Sequence, residues 1–105
     1  MNEIMLTVYP TNGQKSFYDK AKYTVEHEHT VYTYTLYSYN TKIMSITVNS
    51  YNHATIHRYW YDYTATTMKH INSFMDIIGV IRGTYFEGRG KKWWESLPEI
   101  SEIVS

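Results

Sequence analysis

Val31-Tyr32-Thr33-Tyr34-Thr35-Leu36-Tyr37-Ser38-Tyr39 is the stretch that decides the fold class. β-Branched and aromatic residues suit the pleated, half-buried surface of a strand, and here they alternate almost without a break. The stretch predicts one strand of an antiparallel sheet with an aromatic face. Twelve of the 105 residues are tyrosine. A domain this small cannot bury them all, so part of that aromatic surface is on display and suited to binding.

The neighbouring segments carry the same period of two. Upstream, Ala21, Tyr23 and Val25 share one face and Lys22, Thr24 and Glu26 the other, which predicts a half-buried strand from Ala21 to His29. Downstream, Tyr39-Asn40-Thr41 reads as a turn. A third strand then sets Met44, Ile46 and Val48 against Ser45 and Thr47. Asn49-Ser50-Tyr51-Asn52 reads as a hairpin loop, and Ala54 to Tyr61 as a fourth strand. The opening apolar run, Ile4-Met5-Leu6-Thr7-Val8, is short and breaks at the turn residues Pro10-Thr11-Asn12-Gly13.

The period changes after residue 65. Met68, Ile71, Met75 and Ile78 recur at spacings of three and four, the apolar stripe of an amphipathic helix. Thr66 is the expected N-cap and Gly79 the expected stop. Beyond it, Ser96 and Glu99 form a capping-box pattern that predicts a short helix carrying Ile100, Ile103 and Val104 on one face. The expected fold is therefore α+β and a single domain over residues 1–105. An antiparallel sheet of about four strands packs against one main helix at 66–78. Residues 83–105 follow as a short helix or an appended, partner-binding tail.

Ten basic residues balance ten acidic ones, so net charge does not steer the chain toward a polyanion or a membrane. The distribution is uneven: Arg82, Arg89, Lys91 and Lys92 precede a stretch holding Glu95, Glu99 and Glu102. There is no cysteine, hence no disulfide and no thiolate chemistry. No run approaches the ~20 apolar residues of a membrane span, and the first residues do not resemble a secretion signal. A soluble, cytoplasmic protein is expected.

The residues that carry chemistry form no recognised catalytic set. His27 and His29 share a strand face and flank Glu28, but zinc sites ordinarily use cysteine pairs or histidines on one helix face. His53 and His57 have helical spacing in a segment that is not helical. Ser38, Tyr39 and His70 can meet in space, with Asp62 the nearest acid in sequence, yet nothing orients them as a triad. The better reading has His70 pinning the helix to the sheet through a ring hydrogen bond. No catalytic residue, metal or cofactor is expected.

Two binding surfaces are expected instead. Arg89, Lys91, Lys92, Trp93 and Trp94 place cations beside indoles near glycines, a pattern suited to a protein partner. The alternative is a single-stranded nucleic-acid surface on an aromatic sheet face, using Lys20, Lys22, Tyr34, Tyr39, Lys42 and Arg58. So many aromatic side chains also lead us to expect a homodimer.

Three segments carry a family resemblance. They are Lys15-Ser16-Phe17-Tyr18-Asp19-Lys20-Ala21, Leu36-Tyr37-Ser38-Tyr39-Asn40-Thr41, and Tyr63-Thr64-Ala65-Thr66-Thr67-Met68-Lys69-His70-Ile71 with Phe74. Their order resembles a family of small uncharacterised proteins of phages and mobile elements in Gram-positive bacteria, whose pattern is K-S-F-Y-G-K-A, L-x-S-Y-x-T and S-x-T-T-x-K/R-H-I-x-x-F. Asp19 stands where that pattern has glycine. The resemblance implies several antiparallel strands followed by one helix. It also implies a non-enzymatic protein in the cytoplasm of a bacterial host, inhibiting a host defence complex such as a CRISPR effector by occlusion. The implied partner is a host protein or nucleoprotein complex.

Overall fold

In the computed structural model, which describes residues 3–83, 86 and 90–103, a six-stranded sheet carries two helices. The strands are β1 (Glu3–Thr7), β2 (Ala21–Glu28), β3 (Val31–Ser38), β4 (Thr41–Val48), β5 (Ala54–Arg58) and β6 (Ile100–Ile103). They lie in chain order, each antiparallel to the next. Helix α1 (Ala65–Arg82) covers one face, and α2 (Gly90–Ser96) precedes β6.

The α+β class holds, but the sheet has six strands where about four were expected. The opening apolar run is β1, held to β2 with Leu6 opposite Tyr23. The last strand replaces the expected C-terminal helix: Ile100 lies opposite His57 and Ser101 opposite Ile56. β5 would otherwise present unpaired backbone donors and acceptors, and a helix of two turns does not form without strong tertiary support. Ser96 caps nothing downstream. Its hydroxyl donates to the Trp93 carbonyl at 2.9 Å, within α2. The fourth strand also ends early, at Arg58, because the N–H groups of Tyr59 and Trp60 both turn to the Ile43 carbonyl. Ile43 sits at a register shift between β3 and β4, where the strand bends.

Register assigns the two faces. Tyr23, Leu36, Met44 and Arg58 form one row across β2 to β5, on the side that α1 covers. Val25, Tyr34, Ile46 and Ile56 form the next row on that side. Against them α1 buries Met68, Ile71, Phe74, Met75 and Ile78, the stripe that the periodicity predicts. Thr64, not Thr66, caps the helix: its side chain accepts the Thr67 N–H at 3.1 Å. Gly79 does not stop the helix. It is buried inside it, and Gly83 supplies the left-handed cap at φ 66°, donating to the Gly79 and Val80 carbonyls. Thr11 ties the loop after β1 to α1, its N–H donating to Ser73 Oγ and its hydroxyl to Asp76 at 2.6 Å.

The segment expected to be an appended tail is built into this core. Trp94 of α2 is fully buried, and its indole N–H donates to the Asp62 carbonyl.

Candidate functional site

Two turns stand together at one end of the sheet. The Tyr39 N–H donates to the Lys20 carbonyl at 2.8 Å, joining the turn after β3 to the start of β2. Tyr39 and Asn40 both have positive φ, 50° and 67°, and Ser38 pairs with Thr41, the geometry of a two-residue type I′ hairpin. Tyr18 and Asp19 are likewise left-handed, at 52° and 60°. Asp19 therefore adopts a left-handed conformation of the kind glycine takes most readily. Aspartate and asparagine tolerate this region, whereas a bulky residue there is strained. Tyr18 and Tyr39 accept that strain, and both rings are exposed. Strained backbone of this kind concentrates at binding and catalytic sites.

Beneath the turns, His70 links the helix to the sheet. Its Nδ1 lies 2.7 Å from Ser38 Oγ, with both residues buried. Phe17 packs edge-on to the imidazole at 4.5 Å, and Tyr39 lies tilted over it at 5.7 Å. Burial holds the His70 pKa below its usual value of 6.5, which favours the neutral ring. The three segments that carry the family resemblance thus converge here. Phe17 and Tyr18 come from the first, Ser38 and Tyr39 from the second, Lys69 and His70 from the third. Gln14, Phe17, Tyr18, Lys20, Tyr39 and Lys69 line a shallow depression above the imidazole. No hydrogen bond or ring contact joins the exposed Asp62 to His70, whose ring meets Ser38, Phe17 and Tyr39, and no group of three metal-ligating side chains occurs among the described residues. His27 stacks on Tyr32 at 4.0 Å while His29 occupies the turn at φ 57°, so the two do not share a strand face.

The uncovered face of the sheet segregates its charges. Lys22 lies opposite Tyr37, and Tyr37 opposite Lys42, a row across β2, β3 and β4. Lys42 extends the row onto Tyr59, with Nζ 4.2 Å from the ring centroid. Lys20 and Tyr39 border the same groove as Lys22 and Tyr37, and Asp19 lines it with them. The middle of the face is hydroxylic: Thr24, Thr35 and Ser45 lie in one row and are buried, Ser45 against the Tyr59 hydroxyl, with Thr33, Thr47 and Thr55 in the next. Glu26 and Glu28 stand at the far end, around a second groove. A chain with no net charge therefore presents an aromatic end where lysines outnumber the single Asp19 and an acidic end at Glu26 and Glu28.

Of the residues expected to contact nucleic acid, Lys20, Lys22, Tyr39 and Lys42 gather at the cationic end. Tyr34 and Arg58 do not. Tyr34 points beneath α1 and is buried. Arg58 is buried too, its guanidinium donating to the carbonyls of Trp60, Tyr61 and Leu97 and lying against the rings of Tyr61 and Trp94. Of the set expected to meet a protein partner, Trp94 is inside the core and Trp93 packs beside it, half-buried. Lys91 and Lys92 are exposed. Arg89 lies outside the described residues. Tyr37, which completes the cationic row, was not singled out by the sequence, although a signal existed. Tyr37 is three residues from Tyr34, and an odd spacing on a strand puts the two on opposite faces.

The family DUF8033, described as a family of unknown function, matches residues 4–96. The chain belongs to that family. The DUF8033 span runs from β1 through α2, so it includes the turns, His70, the lysine–tyrosine row and both tryptophans of α2, and leaves β6 outside. No curated protein and no solved structure matches the chain.

Proposed function

We propose that this DUF8033 protein is a non-enzymatic binding module that holds single-stranded nucleic acid along the lysine–tyrosine row. The observation that carries the reading is the register that sets Lys22, Tyr37 and Lys42 side by side on the uncovered face, with Tyr59 beneath Lys42. Aromatic rings take the faces of unpaired bases and neighbouring cations take the phosphates, which is the way sheets hold single strands without reading much sequence. Two strand spacings, roughly 10 Å, separate the backbones of Lys22 and Lys42. An uneven charge distribution answers the objection that the chain is neutral: Lys20, Lys22 and Lys42 outnumber Asp19 at this end, and Glu26 and Glu28 are at the opposite end of the face. The non-enzymatic half of the reading rests on Ser38, whose hydroxyl is engaged by His70 and shielded from solvent.

The test is fluorescence polarisation with labelled oligonucleotides across a salt series. Binding is expected at low salt and is expected to weaken as salt rises, with the logarithmic slope falling by about 0.7 for each phosphate contact removed. A flat signal at low salt sinks the proposal. A second reading, occlusion of a host defence complex such as a CRISPR effector, draws support from α2, where Lys91 and Lys92 are exposed beside Trp93. It predicts capture of one protein that survives nuclease treatment and is lost in Lys91→Glu/Lys92→Glu.

A further inference from the structure

The edge formed by β1 lacks the usual protection. The Val8 N–H donates to the Ala21 carbonyl at 2.9 Å, so by strand alternation the backbone groups of Leu6 and Ile4 also point inward to β2. Those of Thr7, Met5 and Glu3 point outward, to a side with no strand among the described residues. Edge strands ordinarily carry inward lysines, prolines or bulges that discourage pairing. Here Ile4 and Leu6 are exposed on the helix side and Met5 on the other. The patch continues onto α1. Ile77 borders a groove with Met5, Leu6 and Tyr9, and the exposed Val80 and Ile81 follow one turn along that flank. Apolar surface that continuous is uncommon on a monomer.

We propose that β1 is a homodimer interface, pairing antiparallel with β1 of a second copy about a two-fold axis through Met5. The strand is self-complementary in that register. Met5 faces Met5 of the copy as a hydrogen-bonded pair, using the outward backbone groups. Ile4 meets Leu6 of the copy, apolar against apolar on the helix side. A two-fold contact of this kind closes on itself, as the commonest soluble dimers do. Opposite residues on antiparallel strands project to the same face. Both α1 helices therefore lie on one side, with the Ile77 flank of each toward the Ile81 flank of the other. The two lysine–tyrosine rows share the opposite side.

Absence of cysteine makes the test direct, because a single introduced thiol reports one contact. Met5→Cys puts two thiols across the axis, at a backbone separation of about 5.5 Å that a disulfide spans. Mild oxidation is expected to convert Met5→Cys to a covalent dimer far faster than Tyr51→Cys, an exposed site distant from β1, and faster than Ile4→Cys, which faces Leu6. Light scattering is expected to give twice the chain mass for the wild type and a monomer for Met5→Lys. A wild type that stays monomeric at every concentration overturns the proposal and leaves the edge to a strand from another protein. A dimer whose Met5→Cys crosslinks no faster than Tyr51→Cys overturns it as well, placing the contact elsewhere.

Discussion

The guanidinium of Arg58 lies 4.7 Å from the ring of Trp94, joining the end of β5 to α2 across the bottom of the core. Three backbone carbonyls complete the cation's surroundings, one of them from Leu97 beyond α2. A buried cation held this way depends on its acceptors, because an abandoned charge in the interior is costly. Helix α2 and the Leu97 segment after it are therefore part of the folding unit. Removing residues 83–105 strips Trp94 from the core, leaves Arg58 without the Leu97 carbonyl and opens the β5 edge.

The first prediction follows. Deletion of residues 83–105 is expected to unfold the protein and not to leave a folded residue 1–82 fragment. Trp94→Ala in the full chain is expected to cost about 3–5 kcal/mol, a large share of the roughly 5–15 kcal/mol that holds a domain of this size. Thermal melts followed by near-ultraviolet circular dichroism read both. A truncated chain that melts like the parent would show that α2 and β6 rest on the sheet without supporting it.

Capping gives a second prediction. Thr64 accepts the Thr67 N–H, whereas Thr66 is inside the first turn and exposed. Thr64→Ala is expected to cost about 1 kcal/mol, and Thr66→Ala to stay within about 0.5 kcal/mol. Urea denaturation separates the two. Equal effects would mean that the Thr64 side chain does not cap α1.

Legibility differed from element to element, and for physical reasons. The central strands and the α1 stripe were readable because burial on one face imposes a period that sequence displays directly. β1 and β6 were not, since an edge strand of four or five residues shows too little alternation to be told from a loop. Gly79 misled because glycine marks either a stop or a close approach, and only packing decides which. Arg58 and Tyr34 misled for a related reason: composition says that a cation and a ring are present, and register says which face each occupies. The same register brought Lys22, Tyr37 and Lys42 together from three strands. The meeting of Ser38 with His70 was legible because Ser38 ends a strand and His70 lies in the first turns of the helix, and the bond between them supplies the partner for the ring.

A third prediction concerns acid. The His70 pKa is lowered in the folded protein by burial. An unfolded chain takes up a proton near pH 6.5 while the folded one resists, so the unfolded state binds more protons below that value and stability falls with falling pH. The contribution is intact above 6.5 and is lost progressively on acidification until the folded-state pKa is reached. His70→Gln, which keeps a partner for Ser38 without a titrating ring, is expected to flatten the pH dependence of stability below 6.5. Denaturation midpoints for wild type and variant at several pH values make the comparison. Parallel curves would show that His70 does not govern the acid sensitivity.

The last prediction separates binding from folding on a single strand. Tyr34 and Tyr37 belong to β3 but face opposite ways, Tyr34 under α1 and Tyr37 between Lys22 and Lys42. Tyr34→Ala removes a buried ring and is expected to destabilise by about 3–5 kcal/mol, with oligonucleotide affinity unchanged wherever the variant remains folded. Tyr37→Ala is expected to leave the melt within about 5 °C of wild type and to weaken oligonucleotide binding by about 1–3 kcal/mol, the worth of one stacked base. Lys22→Ala and Lys42→Ala are expected to act differently again, each weakening binding most at low salt and making the salt slope shallower. The combination is specific to the row, because a sticky but unstructured surface would lose affinity with the lysines and not with Tyr37. If Tyr37→Ala binds as wild type while the lysine variants do not, the face attracts polyanions by charge alone and the stacking half of the proposal falls.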